Sequence, residues 1–168
     1  MRIERFEELE LLIDASATRL TDHLAAIHRD PAGGAHGDGV ARIVLTGGTA
    51  GIALLRALAE QPIDWARTHV FFGDERNVDV SHPDSNEGQA REALLDRVEI
   101  PEANIHGYGL DGGDVAAACA TYAEALGRHA PCGFDVHLLG MGSEGHINSL
   151  FPHTPALAER ERLVVPVE

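Results

Sequence analysis

The apolar positions near the start of the chain recur every three or four residues. They are Phe6, Leu9, Ile13, Ala17, Leu20, Leu24 and Ile27. This spacing places one apolar stripe along a long amphipathic helix that covers a core. We expect the helix to end near Asp30-Pro31, because proline cannot continue it and the segment from Ala32 to Gly39 holds four glycines. That segment is predicted to be a mobile loop.

Three short apolar runs are predicted to be strands, and each of them leads into a glycine. They are Arg42 to Thr46, His69 to Phe72 and Val136 to Leu139. Runs of this kind are typical of strands buried on both faces of a parallel sheet. Because helical segments alternate with them, the sequence predicts an α/β fold with a doubly wound, mostly parallel sheet. Ligands of such sheets bind beyond the carboxyl ends of the strands, so the three loops are expected to converge on one crevice.

The intervening segments complete this prediction. Helices are expected from Thr49 onward, over Glu87 to Val98 and over Val115 to Leu126, with a further short strand around Ile105 to Tyr108. Asp84 and Glu87 have the spacing of a helix-capping pair, so capping explains either Asp84 or Ser85. Capping does not explain Asn86. The length of 168 residues predicts a single domain over residues 1–168.

Composition and charge exclude several classes of function. The 13 arginines against 27 acidic residues give a formal net charge of -14, which argues against nucleic acid or an anionic membrane as a partner. The sequence contains no lysine, so no Schiff base can form with a carbonyl substrate. Cys119 and Cys132 are too few for a disulfide framework, and no run has the length of a membrane span. The N-terminus does not resemble a signal peptide, and we predict a cytoplasmic protein.

The loop after the first strand is a candidate phosphate site. Gly47, Gly48 and Thr49 lie between a strand and a helix, a geometry that directs backbone N–H groups and a helix N-terminus toward a ligand. A tight turn with Thr49 as the helix N-cap is an equally simple explanation. The loop matches neither the Walker pattern nor GxGxxG.

The loop after the second strand carries charge immediately. Asp74, Glu75 and Arg76 follow Gly73, and Arg76 could bind a phosphate or carboxylate through two donors. The alternative is an ion pair between Asp74 and Arg76 that only ties the loop.

The loop after the third strand reads GMGSEGH, from Gly140 to His146. His146 could transfer protons near neutral pH, and Glu144 lies two residues before it. Ser143 does not fit the GxSxG nucleophile motif, because Met141 occupies the first glycine position. Metal binding by Glu144, His146 and His153 matches no zinc signature. A structural role for His146 in the loop remains open.

Three blocks of sequence resemble the 6-phosphogluconolactonase family in the same order. They are LTGGTAGIALL at Leu45 to Leu55, VFFGDERNVDVSHPDSN at Val70 to Asn86 and LLGMGSEGHINSLFP at Leu138 to Pro152. With the helices between them they cover nearly the whole chain. The resemblance implies the modified Rossmann-like fold shared with glucosamine-6-phosphate deaminases and ribose-5-phosphate isomerase-like proteins. It also implies hydrolysis of 6-phospho-D-glucono-1,5-lactone in the oxidative pentose phosphate pathway, without a cofactor or metal.

The resemblance further implies roles for individual residues. His146 corresponds to the general base, Arg76 to a phosphate ligand, and Gly47 to Thr49 to the phosphate loop. The full candidate set comprises His146 and Glu144 as catalytic residues and Gly47, Gly48, Thr49, Asp74, Arg76, Ser85, Asn86, Gly142 and Gly145 as substrate-binding residues. The implied partner is a small sugar-phosphate lactone, and the oligomeric state is left undetermined.

The chain departs from the family pattern at three points. Glu144 stands where the family commonly has Asp, and Ala50-Gly51 stands where it commonly has a Thr-Pro step. Family members also continue beyond the end of this chain, so the single domain is expected to be incomplete at its C-terminus. Two alternatives remain: a glucosamine-6-phosphate deaminase or isomerase-like enzyme, disfavoured by the DERNV and LFP segments, and a non-catalytic sugar-phosphate-binding module, for which no DNA-binding element is evident.

Overall fold

The computed structural model describes residues 2–167 as four parallel strands and four α-helices. The helices are α1 (Leu9–Arg29), α2 (Gly48–Leu58), α3 (Asn86–Ala93) and α4 (Val115–His129). The strands are β1 (Ala41–Leu45), β2 (Thr68–Phe72), β3 (Ile105–His106) and β4 (Val136–His137). Short 3₁₀ segments occur at Trp65–Arg67, Leu95–Arg97, Glu102–Asn104 and Pro155–Ala158. The sheet order is β3-β2-β1-β4, and every pairing is parallel.

Helices cover both faces of the sheet, which confirms the predicted doubly wound α/β fold. On one face, alternate side chains of β1 and β2 such as Ile43, Leu45 and Phe72 join the main core formed with α1, α2 and α3. On the other face, Val44 and Phe71 pack against the C-terminal end of α4. This alternation follows from the two-residue period of a strand.

The predicted N-terminal helix is confirmed, but its apolar stripe is buried only in part. Ile13, Ala17, Leu24 and Ile27 are buried, whereas Leu9 is 45% exposed. The stripe therefore contacts the core from the second turn of α1 onward. Within residues 2–167, no helix has both the length and the apolar character needed to cross a membrane.

The prediction of a helix over Glu87 to Val98 was wrong at its C-terminal end. The helix α3 ends at Ala93, and Leu94 leaves the helical conformation with φ -141° and ψ -61°. Leu94 and Leu95 are both buried in the main core. The chain continues from this break into the 3₁₀ turn at Leu95–Arg97, which keeps both leucines in the core.

The prediction of a buried strand over Val136 to Leu139 was also wrong in part. Only Val136 and His137 pair with β1, and Leu139 is 53% exposed. Within the described residues β4 is an edge strand, so one side of it has no partner strand. At this edge the apolar run is at most half-buried.

Candidate active site

The loops that follow β1, β2 and β4 meet at the carboxyl ends of the strands. They enclose a cavity of about 220 Å³. Its lining residues are Thr46, Gly47, Gly48, Asp74, Arg76, Asn86, Gly140, Met141, Gly142, His146 and Asn148. The predicted convergence of the three loops on one crevice is thereby confirmed.

The glycine loop forms the N-terminal end of α2. Gly47 is the N-cap, so the alternative in which Thr49 caps the helix was wrong, and the exposed Thr49 does not line the cavity. Gly48 has φ +77°, a conformation that favours glycine. A Cβ at Gly47 would lie 2.5 Å from Oδ1 of Asn86. Glycine at this position therefore lets the asparagine side chain approach the start of the helix, whose partial positive charge favours anions.

Gly51, at one of the departures from the family pattern, packs closely on the end of β1. Gly51 is buried in α2, and a Cβ there would lie 2.5 Å from the carbonyl oxygen of Thr46. The helix can pack this closely on the end of β1 only because the residue has no side chain.

Asn86 connects Arg76 to Asp74. Nη1 of Arg76 donates to Oδ1 of Asn86 at 2.9 Å and to the carbonyl oxygen of Asp84 at 3.1 Å. Nδ2 of Asn86 donates to the carbonyl oxygen of Asp74 at 2.9 Å and to its carboxylate at 3.2 Å. Across residues 2–167, Arg76 forms no ion pair with a carboxylate, so the direct Asp74–Arg76 pair considered above is replaced by a bridge through Asn86.

Glu75 and Ser85 hold the first turn of α3 beneath the cavity. The Glu75 carboxylate accepts hydrogen bonds from the backbone N–H groups of Asn86 at 2.7 Å and Glu87 at 2.8 Å. The Ser85 hydroxyl accepts from the N–H of Gly88 at 3.0 Å and donates to Glu75 at 3.1 Å. Ser85, not Asp84, is therefore the N-cap. Being 1% exposed, it does not line the cavity.

His146 is the titratable imidazole in the cavity wall. Its Nδ1 lies 3.1 Å from Oε2 of Glu144, and its ring packs on Phe151 with 4.3 Å between the ring centroids. A hydrogen bond from the backbone N–H of Glu144, together with those from His146 and Ser143, holds the pKa of the Glu144 carboxyl below its ordinary value. An ionised Glu144 favours a proton on Nδ1, which leaves Nε2 of His146 as the proton acceptor.

Glycines shape the loop around this histidine. A Cβ at Gly142 would overlap the His146 ring. Gly145 has φ +83°, and its N–H donates to the carbonyl oxygen of Gly142 at 3.0 Å in a tight turn. Glu144 and Gly145 are exposed and lie beside the cavity rather than in its lining.

Asn148, which was not among the predicted site residues, also lines the cavity. Its φ of +52° lies in the left-handed region, and its buried Oδ1 has no hydrogen-bond partner among the described residues. The neighbouring Ser149 donates to Oδ2 of Asp74 at 2.6 Å, which ties the loop after β4 to the loop after β2. Two polar residues within the otherwise apolar segment from Ile147 to Phe151 were the signal that could have identified this pair. Thr46, Gly140 and Met141 also line the cavity, although the sequence indicated them only as strand-end and loop residues.

The comparisons with known proteins agree with this geometry. Residues 8–168 match the family model described as Glucosamine-6-phosphate isomerases/6-phosphogluconolactonase. A 6-phosphogluconolactonase of Mycobacterium tuberculosis is 46% identical over 99% of this chain and 69% of its own length. The crystal structure of a 6-phosphogluconolactonase from Shewanella baltica superposes with a TM-score of 0.80 at 28% identity, over 97% of this chain and 67% of that one.

The fold extends to a related enzyme class. A monomeric glucosamine-6-phosphate deaminase superposes with a TM-score of 0.73 at 17% identity, over 88% of this chain and 58% of the deaminase, and this likeness shows the fold alone. The chain spans 64% of the 6-phosphogluconolactonase structure from Thermotoga maritima. On the evidence of the matched residues, the relatives and the shared architecture, the chain belongs to the glucosamine-6-phosphate isomerase/6-phosphogluconolactonase family.

Proposed function

We propose that the protein hydrolyses 6-phospho-D-glucono-1,5-lactone to 6-phosphogluconate. One feature of the cavity supports this function: His146, backed by Glu144, shares a small polar cavity with Arg76 and the N-terminus of α2. A proton acceptor and an anion-binding end thus lie within reach of one small substrate. The relative at 46% identity is named a 6-phosphogluconolactonase, which favours lactone hydrolysis over deamination.

The proposed chemistry is general-base hydrolysis of a cyclic ester. Nε2 of His146 takes a proton from water, and the water oxygen attacks the lactone carbonyl carbon. The tetrahedral intermediate then collapses with cleavage of the bond between the carbonyl carbon and the ring oxygen. The His146 imidazolium returns its proton to that oxygen, which becomes a hydroxyl group of the open acid. Glu144 stabilises the imidazolium while it carries the proton.

One general base, together with positioning of the substrate, can supply the rate enhancement that lactone hydrolysis requires. Lactones open slowly in water without help, and a positioned general base contributes about 10²- to 10⁴-fold. Positioning of the lactone by its phosphate adds to this effect. The N–H groups of Gly142 and Gly145 donate within the loop, so other backbone N–H groups between Gly140 and Glu144 supply the hydrogen-bond donors for the developing oxyanion.

The phosphate of the substrate is assigned to Arg76 and the start of α2. In a protein with a formal net charge of -14, an anion needs local positive potential. Arg76 is exposed, and its Nη1 is held by Asn86 and Asp84, which orients the guanidinium. Its Nε and Nη2 form no hydrogen bond within residues 2–167 and can face a phosphate in bidentate fashion. In this assignment Asp74 positions Arg76 through Asn86.

The cellular location belongs to the same proposal. Cys119 and Cys132 are free thiols, which supports the expected cytoplasmic environment because that compartment keeps thiols reduced.

The test measures hydrolysis of freshly prepared lactone, coupled to an NADP-dependent 6-phosphogluconate dehydrogenase and corrected for spontaneous opening. We expect the chain to accelerate opening and His146→Gln to lower kcat by about 10²- to 10⁴-fold. The matched control is His23→Gln, at an exposed position of α1, which should keep the full rate. The Mycobacterium tuberculosis relative serves as the positive control for the assay. No acceleration by a version extended to the length of the relatives would refute the proposed function, and full activity of His146→Gln in that version would refute the assignment of the base.

Arg76→Ala tests the phosphate assignment separately. We expect a higher KM with a smaller effect on kcat, because the interaction binds the substrate away from the reacting carbonyl. An unchanged KM would show that the phosphate binds elsewhere.

A further inference from the structure

Three histidines from three different elements meet on the face of the sheet that α4 covers. They are His69 on β2, His106 on β3 and His129 at the end of α4. Although 37 positions separate His69 from His106, Nδ1 of the first lies 2.8 Å from Nε2 of the second. One ring nitrogen from each of the three residues lies within 4.8 Å of the other two. This arrangement is not needed for the chemistry proposed above.

The three rings form a stacked group with one hydrogen bond among its ring nitrogens. The ring centroids of His106 and His129 are 4.3 Å apart, and those of His69 and His106 are 5.1 Å apart. The hydrogen bond between His69 and His106 uses one nitrogen of each ring. Among residues 2–167, the ring of His129 forms no hydrogen bond. A group of nitrogen donors that is largely unsatisfied by protein atoms is available to a ligand.

The spacing of the ring nitrogens is close to that of a tetrahedral metal site. Ligand nitrogens at about 2.0–2.1 Å from a zinc ion lie about 3.3 Å from one another. The nitrogens of His69 and His106 lie 2.8 Å apart, and one nitrogen from each of the three residues lies within 4.8 Å of the others. Metal binding requires the imidazole rings to rotate out of the stacked arrangement, so that their nitrogen lone pairs converge on one ion. His106 is buried, whereas His69 and His129 are half-buried, so an ion can enter from one side.

The positive charge of Arg42, which lies beside the cluster, is paired with the carboxylate of Asp38. Nε of Arg42 donates to the carbonyl oxygen of His129 at 2.7 Å, which fixes the end of α4 beside the cluster. Nη1 and Nη2 of the same guanidinium donate to the two carboxylate oxygens of Asp38 at 3.0 Å and 2.8 Å. The Arg42–Asp38 pair is therefore neutral overall, and the chain as a whole carries a net charge of -14. The Arg42–Asp38 pair therefore does not oppose the binding of a cation at the cluster.

We propose that His69, His106 and His129 bind one divalent transition-metal ion of the zinc type, with water as the fourth ligand. Three imidazoles suit Zn²⁺, Co²⁺, Ni²⁺ or Cu²⁺, whereas Mg²⁺ and Ca²⁺ prefer oxygen ligands. The ion joins β2, β3 and the C-terminal end of α4. Since His69 precedes the end of β2 by about 10 Å of extended chain, the site is separate from the cavity that contains His146. Its role is structural.

The experiment uses the whole chain, stripped with a chelator and titrated with Co²⁺ and then with Zn²⁺. We expect one Co²⁺ per chain with the intense visible absorption of tetrahedral coordination, and loss of that absorption when Zn²⁺ replaces the cobalt. His69→Gln and His129→Gln should each weaken binding by at least the roughly 10- to 100-fold that loss of an outer partner of a metal ligand costs. His146→Gln and His23→Gln should bind as the wild type does.

Two results would overturn the proposal. One is the absence of a tetrahedral cobalt spectrum in the wild type. The other is loss of binding in His146→Gln with binding retained in both cluster variants, which would place the ion at the active-site loop. If a cluster variant fails to fold, a long-range ¹H–¹⁵N spectrum of the wild-type imidazoles with and without Zn²⁺ decides the question. Shifts confined to histidines outside the cluster would refute the site, independently of any lactonase activity.

Discussion

Replacing Glu75 by glutamine should destabilise the protein although the substitution changes only one atom of the side chain. The Glu75 carboxylate accepts hydrogen bonds from the backbone N–H groups of Arg76, Asn86 and Glu87 and from the Ser85 hydroxyl. Two of these groups are the first N–H groups of α3, which have no partner inside the helix. The amide of glutamine offers one acceptor and turns an N–H group toward a backbone donor.

The expected loss is about 2 to 4 kcal/mol. A backbone hydrogen bond to a charged acceptor contributes about 1.5–3 kcal/mol, and a carboxylate at a helix N-terminus adds about 0.3–1 kcal/mol. For a chain of 168 residues, this corresponds to a fall of roughly 5 to 15 °C in Tm. Urea denaturation gives the free energy of unfolding, and an unchanged m-value would show that the denatured state is unaffected.

Glu92→Gln is the matched control. Glu92 lies on the same helix, is exposed and carries the same charge. Its replacement should change stability by no more than about 0.5 kcal/mol. A Glu75→Gln variant as stable as Glu92→Gln would refute the conclusion that this carboxylate holds the first turn of α3.

Three further predictions follow from other contacts. Gly142→Ala should lower kcat by about 100-fold in the lactone assay, because the added Cβ would displace the His146 ring. Gly127→Ala is the control, since Gly127 has open space around it on α4, and it should leave the rate unchanged. Equal rates of the two variants would contradict the predicted overlap. Tyr122→Phe should cost about 1–3 kcal/mol in urea denaturation, because its buried hydroxyl both donates to and accepts from the backbone of the last residue of β2 at 2.9 Å. Burial lowers the pKa of His28 below 6.5, so the unfolded chain takes up this proton first and stability falls as the pH drops below about 6.5. His28→Gln should flatten that fall in urea titrations at two pH values, and an unchanged slope would exclude His28 as a contributor.

Much of the fold could be predicted from local sequence patterns. The runs from Arg42 to Thr46 and from His69 to Phe72 are short, apolar and followed by glycine, and both form strands close to those limits. The convergence of the loops follows from the parallel arrangement alone. The end of α3 and the exposure of Leu139 could not be predicted in this way, because they depend on what packs against each residue in the folded chain.

The candidate site likewise contains some residues that local sequence patterns identify and others that only the folded chain brings together. Arg76 and His146 could be identified because each follows a predicted strand, and the carboxyl ends of parallel strands border the crevice. The hydrogen bonds of Glu75 could not be identified, since they join residues ten to twelve positions apart through the geometry of a loop. The cluster of His69, His106 and His129 needed the pairing of β2 with β3 and the position of α4.

The bridge formed by Asn86 has a thermodynamic consequence for the whole α3 region. Asn86 is the first residue of α3, and its side chain also holds Arg76. Any anion that binds the oriented Arg76 must therefore stabilise the helix start, and by reciprocity a tighter helix start must raise the affinity for the anion. Inorganic phosphate alone should slow hydrogen exchange at the first amides of α3. Binding of the anion could then be measured as slower hydrogen exchange at these amides, without any substrate being hydrolysed.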